Sequence, residues 1–304
     1  MLKKHLIVPA IALLFLVAAT IANAQEFPGS LDWENMRAVA VGVGIPPANA
    51  GNQAQSRAMG QRASVLDARR NLLEVIKGVH IDSETKVLDT MAQSDVVLTR
   101  IQGVLQGSAI LETRLLADGS YESVVAIPLT GALSQELLSL APPLPTKPAP
   151  VHIEESTPPS PEPAPEHIVE RTLPAPEPAP PATEHAPPLP ERTGYTGLVI
   201  DARNMGFKPS LRPELHGQDS LLYPGPNADT ETAVRRGYVR YYTKLDQAQQ
   251  SELVGDLPLT VKAASLHQGR TGALTLPDRE ARQLESILAA PGNFLDRCNV
   301  VIVF

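Results

Sequence analysis

Apolar and polar positions in the first half of the chain repeat with two different periods. Residues 37–44, RAVAVGVG, are small and β-branched, which is typical of a strand. Over residues 50–77 apolar side chains recur at spacings near 3.6, which predicts a long helix followed by Gly78 at its C′ position. The segment VHIDSETKVL (79–88) alternates and predicts a second strand, and residues 94–106 predict a shorter helix.

A hairpin and a last helix complete this region. The runs 108–116 and 120–129 flank Asp118-Gly119, and an aspartate–glycine pair favours the tight turn of a β-hairpin. Residues 130–140 predict a helix. The order β-α-β-α-β-β-α predicts an α+β fold for a first domain, residues 25–140.

The region 193–304 predicts a second small mixed α/β domain. Its final CNVVIVF is apolar enough for a central strand that is covered on both faces. A helix is expected near 245–253, and Pro277 suits the first turn of another helix. Five other strands are predicted, at 196–203, 208–215, 237–245, 258–266 and 272–276. Pro213 interrupts the second of these strands, and the last two form a pair.

Proline dominates the segment between these domains. Of the 30 prolines, 18 lie within 142–190. Because proline has no N–H and a fixed φ, this segment predicts an extended linker, residues 141–192, of polyproline-II character. We expect few contacts to cross it. A docking site for an SH3-like domain is the alternative interpretation.

The start of the chain has the features of a secretory signal peptide. Lys3-Lys4 precede the apolar run 6–19, and Ala22-Asn23-Ala24 provides small residues before a cleavage site. We predict a cleaved signal peptide, residues 1–24, with an uncleaved anchor as the alternative. The mature protein is then exported, to the periplasm or in association with the outer membrane.

Charge and cysteine content exclude several classes of protein. The net charge is −7 and no segment is strongly basic, so we expect no nucleic-acid partner. The single cysteine, Cys298, cannot form an internal disulfide and lies far from the predicted cleavage site, so we expect no direct lipid anchor. Cys298 precedes an apolar run and is interpreted as a buried strand residue.

Two glycines raise the question of a phosphate-binding loop. Gly42 and Gly44 fit the start of G-x-G-x-x-G, but Pro47 occupies the third glycine position and no G-K-[ST] follows. The favoured interpretation is that these glycines allow close backbone packing, with Asn49 capping the helix that follows. No cofactor is predicted.

Other catalytic and metal-binding patterns are missing. H-E-x-x-H and G-x-S-x-G do not occur, and the acidic residues over 82–95 do not have calcium-loop spacing. We predict no catalytic residue and no metal site. An alternative remains open, a ligand-binding or hydrolytic cleft in the second domain formed by Asp201, Arg203, His216 and Arg240. The simpler interpretation is that these four are surface charges.

The long helix carries a family resemblance. Its pattern, together with the small strand before it and the DGSY hairpin, resembles the bacterial envelope family typified by the twenty-kilodalton lipoprotein, which includes flagellar outer-membrane-associated assembly proteins. The resemblance covers the first domain only. Its most specific residues are Ala58, Ala63, Asp67, Ala68, Arg69, Asn71 and Leu72.

The resemblance implies a small α/β module without enzymatic activity that assembles into rings or envelope complexes. The expected partners are envelope proteins, including further copies of the chain, and a flagellar basal-body-associated role is the specific version. Arg62, Arg69 and Arg70 fall between the apolar positions of the helix, so we expect them to face outward and form an assembly surface.

Overall fold

The computed structural model describes residues 28–92, 94–144, 194–218, 220–290 and 292–304. The predicted signal peptide and residues 145–192 of the predicted linker, with its possible docking role, lie outside these ranges. Residues 28–144 are called the first unit below, and residues 194–304 the second unit. Both units combine helices with strands, which confirms the predicted α+β class.

The first unit is an antiparallel sheet with a long helix across it. Its elements are β1 (Gly29–Asp32), β2 (Arg37–Gly44), α1 (Gln53–Lys77), α2 (Val87–Met91), α3 (Asp95–Leu105), β3 (Ala109–Leu115), β4 (Tyr121–Pro128) and α4 (Ala132–Leu138). The strands pair in the order β1-β2-β4-β3, and α1 packs mainly on β2 and β4. Strand β1 was not predicted from the sequence. The Asp118-Gly119 hairpin was, and Gly119 adopts φ +85° in its turn.

Helix α1 begins later than predicted. The side chain of Asn52, not Asn49, caps it by accepting the N–H of Gln55 at 2.8 Å. The chain before it is still turning, and Ser56 Oγ donates to the carbonyl of Pro47. At the other end Gly78 is the C-cap residue with an ordinary right-handed φ of −78°, so the predicted C′ role is wrong.

The predicted strand 79–88 is also wrong. One isolated bridge joins His80 to Lys86, and α2 follows directly. The cause is local, because Asp82 Oδ1 accepts the N–H groups of Glu84 at 3.0 Å and Thr85 at 2.8 Å and turns the chain. The segment 79–86 is therefore an irregular connection between α1 and α2.

The second unit contains two sheets. Its elements are β5 (Gly197–Asp201), β6 (Glu214–His216), β7 (Leu221–Tyr223), α5 (Thr230–Arg236), β8 (Arg240–Tyr242), α6 (Leu245–Gln249), β9 (Pro258–Lys262), β10 (Ser265–Leu266), a 3₁₀ turn (His267–Gly269), β11 (Ala273–Thr275), α7 (Asp278–Leu288) and β12 (Val300–Val303). One sheet is parallel with the order β8-β12-β5-β9, and the other is mixed with the order β10-β11-β6-β7.

Strand β12 confirms the prediction of a central strand covered on both faces. It lies between β5 and β8, and all of its residues are buried. Val300 and Ile302 join the main core, whereas Val301 and Val303 join a separate cluster on the other face of the sheet. Cys298 is buried as predicted, but it lies in a turn with φ +57° rather than in the strand.

Other predictions for the second unit need correction. Only the end of the predicted strand 208–215 is extended, as part of β6. Within 258–266, β9 pairs in parallel with β5, and only β10 pairs with β11. Helix α5 and strand β7 were not predicted. These short elements lack a clear period in the sequence, and their pairing depends on residues far along the chain.

The two units are in contact, so the expectation of few contacts across the linker is wrong for the described residues. The N–H groups of Leu211 and Arg212 donate to the carbonyls of His80 and Ile81 at 2.9 and 2.8 Å. The Arg212 guanidinium also pairs with Asp82 at 3.2 Å, and both side chains are buried. One hydrophobic core includes residues of both units.

Candidate assembly surface

The two glycines of β2 serve helix packing. A Cβ on Gly42 would lie 1.9 Å from the backbone nitrogen of Ala68, and a Cβ on Gly44 would lie 2.2 Å from the carbonyl oxygen of Gly60. Neither distance is compatible with a side chain. The backbone of α1 thus fills the space beside both glycines, as the packing interpretation predicted.

The characteristic helix residues Asp67 and Asn71 cover part of the edge of β2. Strand β1 pairs with β2 only as far as Ala40. Beyond that point, the N–H of Val43 donates to Asp67 Oδ2 at 2.9 Å, and Asn71 Nδ2 donates to the carbonyl of Val41 at 2.7 Å. Side chains of α1 therefore satisfy backbone groups that no neighbouring strand reaches.

The opposite side of the sheet is open. Strand β3 ends the sheet, and all of its residues are exposed. Ile110, Leu111 and Leu115 are 52%, 53% and 62% exposed, so apolar side chains line an edge with unpaired backbone groups. Within the described ranges no strand pairs with the outer edge of β3. Such an edge is a template for another strand.

A groove of about 540 Å³ runs between α1 and β3. Its floor is apolar, and two guanidinium groups lie along it. The lining residues are Ala58, Gln61, Arg62, Val65, Leu66, Arg69, Ile110 and Thr113. Below Thr113 a chain of hydroxyl groups leads into the unit, from Thr113 through Ser123 to Ser64, with oxygen–oxygen distances of 2.9 and 2.7 Å.

The structure brings two of the three predicted surface arginines into this groove. Arg62 is exposed, and Arg69 is half-buried with its Nε donating to Ser108 Oγ at 3.3 Å. Arg70 is exposed on the same helix but does not line the groove. Sequence reasoning missed β3 as the other wall. The available signal was the run AILETRL, whose apolar residues do not fall on one face of a strand.

The four candidate residues of the second unit do not share a site. Arg203 makes two hydrogen bonds to Asp201, at 2.8 and 2.7 Å, and this pairing lowers the pKa of Asp201 although burial opposes it. His216 belongs to the other sheet. Arg240 lines a separate groove with Glu34 of the first unit. The four residues are therefore dispersed, and Asp201 and Arg203 form an ion pair of their own.

A polar cluster lies where the two units meet. Glu214 accepts hydrogen bonds from His216 at 2.9 Å and from Ser83 of the first unit at 2.9 Å, with Arg270 at 3.3 Å. Burial opposes ionisation of Glu214, but these hydrogen bonds and the charge of Arg270 outweigh burial and lower its pKa. The His216 ring stacks on His267 at 3.7 Å. This cluster joins the units.

The described ranges contain neither a metal-binding cluster nor a membrane-spanning helix. No group of three or more histidine, cysteine, aspartate or glutamate side chains there is arranged to hold a metal ion. No helix in the same ranges has the length and apolar character needed to cross a membrane.

Comparison with known families supports the resemblance of the first unit. Residues 40–128 match the family model of the LPP20 lipoprotein, which confirms the lipoprotein-family resemblance there. Residues 197–304 match the family of the second domain of Treponema pallidum Tp0624. Among curated proteins, none matches the chain. The lipoprotein match indicates an exported protein associated with the cell envelope.

Proposed function

We propose that this protein is a non-enzymatic assembly or scaffold protein of the bacterial envelope, and that it contacts protein partners through the groove between α1 and β3. The resemblance of the first unit favours a flagellar basal-body-associated role as the specific version. The partners are envelope proteins, further copies of the chain included.

The observation that carries this proposal is the contrast between the two sides of the sheet in the first unit. Asp67 and Asn71 are used to cover exposed backbone on β2, whereas β3 is exposed along its whole length. Apolar side chains flanked by arginine on an open strand edge suit an extended or helical protein segment. Arg62 and Arg69 add a preference for acidic side chains on that segment.

The alternative of a ligand-binding or hydrolytic second unit has less support. It required Asp201, Arg203, His216 and Arg240 to surround one pocket, and they are dispersed. Cys298 is fully buried and so is not accessible as a lipid acceptor in the folded protein. Any association with the outer membrane would on this proposal come through protein partners.

Charge reversal in the groove tests the proposed function in cells. The double variant Arg62→Glu/Arg69→Glu should lose most of the cross-linked complexes formed by the tagged full-length protein in the envelope fraction, because reversed charges at an interface cost several kcal/mol. Arg70→Glu is the matched control on the same helix and should keep them. Unchanged complexes in a stably folded double variant would contradict the proposal.

A further inference from the structure

We propose that the partner seated on β3 is the β3 strand of a second copy of this chain, paired antiparallel about a two-fold axis at Thr113. The inference rests on the proposed function and names one partner for the strand edge that borders the groove. Three observations support it: the direction of the free backbone groups, the order of the charges along the strand, and the exposed apolar side chains.

The backbone N–H and C=O groups of Thr113 point away from β4, towards the open edge of the sheet. Hydrogen-bonded and non-hydrogen-bonded pairs alternate along an antiparallel ladder. The N–H of Leu116 donates to the carbonyl of Ser120 at 2.8 Å, so those two residues form a hydrogen-bonded pair. Three positions earlier, Thr113 faces Ser123 in a non-hydrogen-bonded pair. Its N–H and C=O are therefore free to exchange two hydrogen bonds with Thr113 of a second copy.

The charges of β3 select the register. Opposed side chains in an antiparallel pair lie on the same face, so a two-fold axis must pass through a residue and not between two residues. An axis through Glu112 or Arg114 sets like charges opposite each other. An axis through Thr113 sets Glu112 opposite Arg114 of the second copy, and does so twice.

The neighbouring contacts leave those charges available. Glu112 and Arg114 lie on the sheet face away from α1, because they oppose Val124 and Glu122 of β4, whereas Thr113 opposes the buried Ser123. Arg114 bonds Glu122 at 2.7 Å and remains 58% exposed in its side chain. It can therefore donate to a carboxylate of the other copy and keep its bond to Glu122.

The apolar side chains fit the same register. A bulge between Ile110 and Glu112 interrupts β3, and the run from Glu112 to Leu115 is regular. Pairing about Thr113 brings Leu115 of each copy to the bulge of the other, beside Leu111. Both copies of α1 then lie on one face of a continuous eight-stranded sheet. Because a two-fold pair closes on itself, a ring of copies would require a second interface.

Charge exchange tests this pairing in the purified full chain by light scattering after size exclusion. Glu112→Arg and Arg114→Glu each place like charges opposite each other twice, so each variant should self-associate more weakly than the wild type, on the order of tenfold. A mixture of the two variants should recover association as a heterodimer, because every opposed pair is then of opposite charge. Glu231→Arg and Arg235→Glu on α5 are the matched controls and should behave as the wild type.

Cross-linking gives a second test that does not depend on charge. In the proposed pair the two Thr113 Cα atoms lie about 5.5 Å apart, within the range of a disulfide. Thr113→Cys should therefore form a disulfide-linked dimer on mild oxidation, whereas Thr99→Cys, exposed on α3, should not.

The outcomes separate this inference from the proposed function. A monomeric wild type, or single charge variants that associate normally, would overturn the β3 pairing. If cellular complexes were nevertheless lost in Arg62→Glu/Arg69→Glu, the groove would serve a different envelope protein and the proposed function would stand. Because Glu112 and Arg114 lie on the sheet face away from α1, retained cellular complexes in that variant would overturn the groove as the contact surface, whereas weakened association of the Glu112 and Arg114 variants would still support the β3 pairing.

Discussion

The segment 79–86 and strand β3 both lie in runs of the first unit that the sequence predicts as strands, but their surroundings are opposite. In the first segment Val79 and Ile81 are fully buried, and its carbonyls accept hydrogen bonds from the second unit. In β3 all residues are exposed, and the outer backbone edge has no strand beside it in the described ranges. The segment 79–86 is therefore bonded to the second unit of the same chain, whereas the outer edge of β3 has no strand beside it in the described ranges.

The charged residues of the two segments differ in the same way. Asp82 is buried and pairs with the buried Arg212, so at the contact between units each of these buried charges is compensated by the other. Glu112 and Arg114 are exposed and cost little to leave in water. We infer that the first segment holds the molecule together, and that the second is suited to a contact that forms and dissociates.

The largest expected effect on the free energy of unfolding is at the segment 79–86. Asp82→Ala removes one partner of a buried ion pair and leaves the Arg212 guanidinium uncompensated, so the free energy of unfolding should fall by about 3–5 kcal/mol. Glu112→Ala, which removes an exposed carboxylate from β3, is the matched control and should change the free energy of unfolding by less than about 0.5 kcal/mol. Urea unfolding of the full chain measures both. Equal losses would remove the distinction between the segments.

Helix α1 shows the same contrast on its two faces. Leu72 is fully buried against the sheet, so Leu72→Ala should cost about 2–5 kcal/mol. Leu66 lines the open groove at 57% exposure, and Leu66→Ala should cost less than about 0.5 kcal/mol. Thermal unfolding of the two variants, read against the wild type, measures the difference. A large loss in Leu66→Ala would show that the groove belongs to the packed core.

The features predicted correctly from the sequence are those set by local composition. The apolar run at 300–303 has no polar position, which left no face of β12 for solvent. Gly42 and Gly44 were predicted to allow close backbone packing, and α1 lies against both glycines. The period of α1 also placed Arg62 on the outer face of the helix.

The features missed depend on distant residues. Asp82 and Arg212 are separated by 130 positions, so the pattern of 79–88 alone could not show that its partner was another part of the chain rather than a neighbouring strand. The groove required knowing that β3 ends the sheet. Strand β4, which the sequence predicts as the other strand of the same hairpin and which lies between β2 and β3, is mostly buried. The order of the strands in the sheet, and not their periodicity, decides that β3 and not β4 keeps an open edge.

The polar cluster between the units makes the stability of their contact depend on pH. The pKa of Glu214 is lowered in the folded state, so its contribution to stability is present above the ordinary value of about 4.5 and is lost as the pH falls through the lowered value. Glu214→Gln should therefore flatten the decline of unfolding free energy in that acid range. Urea midpoints measured from pH 6 down to about pH 3 test this. An unchanged slope would show that Glu214 does not couple the contact to protonation.

The smallest effect on stability is expected at Leu115, where the open edge can be changed without disturbing the core. Leu115 is 62% exposed, so Leu115→Ser should shift the unfolding free energy by less than about 0.5 kcal/mol. In the proposed pair it meets the bulge of the second copy, so the same change should weaken self-association severalfold. Val96→Ser on α3 removes an apolar side chain of similar exposure, 60%, away from the edge and should alter neither quantity. Chemical unfolding and light scattering on the same samples separate the two effects. If Leu115→Ser unfolded the protein, the strand edge would be part of the closed structure; if it left association intact, the apolar rim would not contribute to the contact.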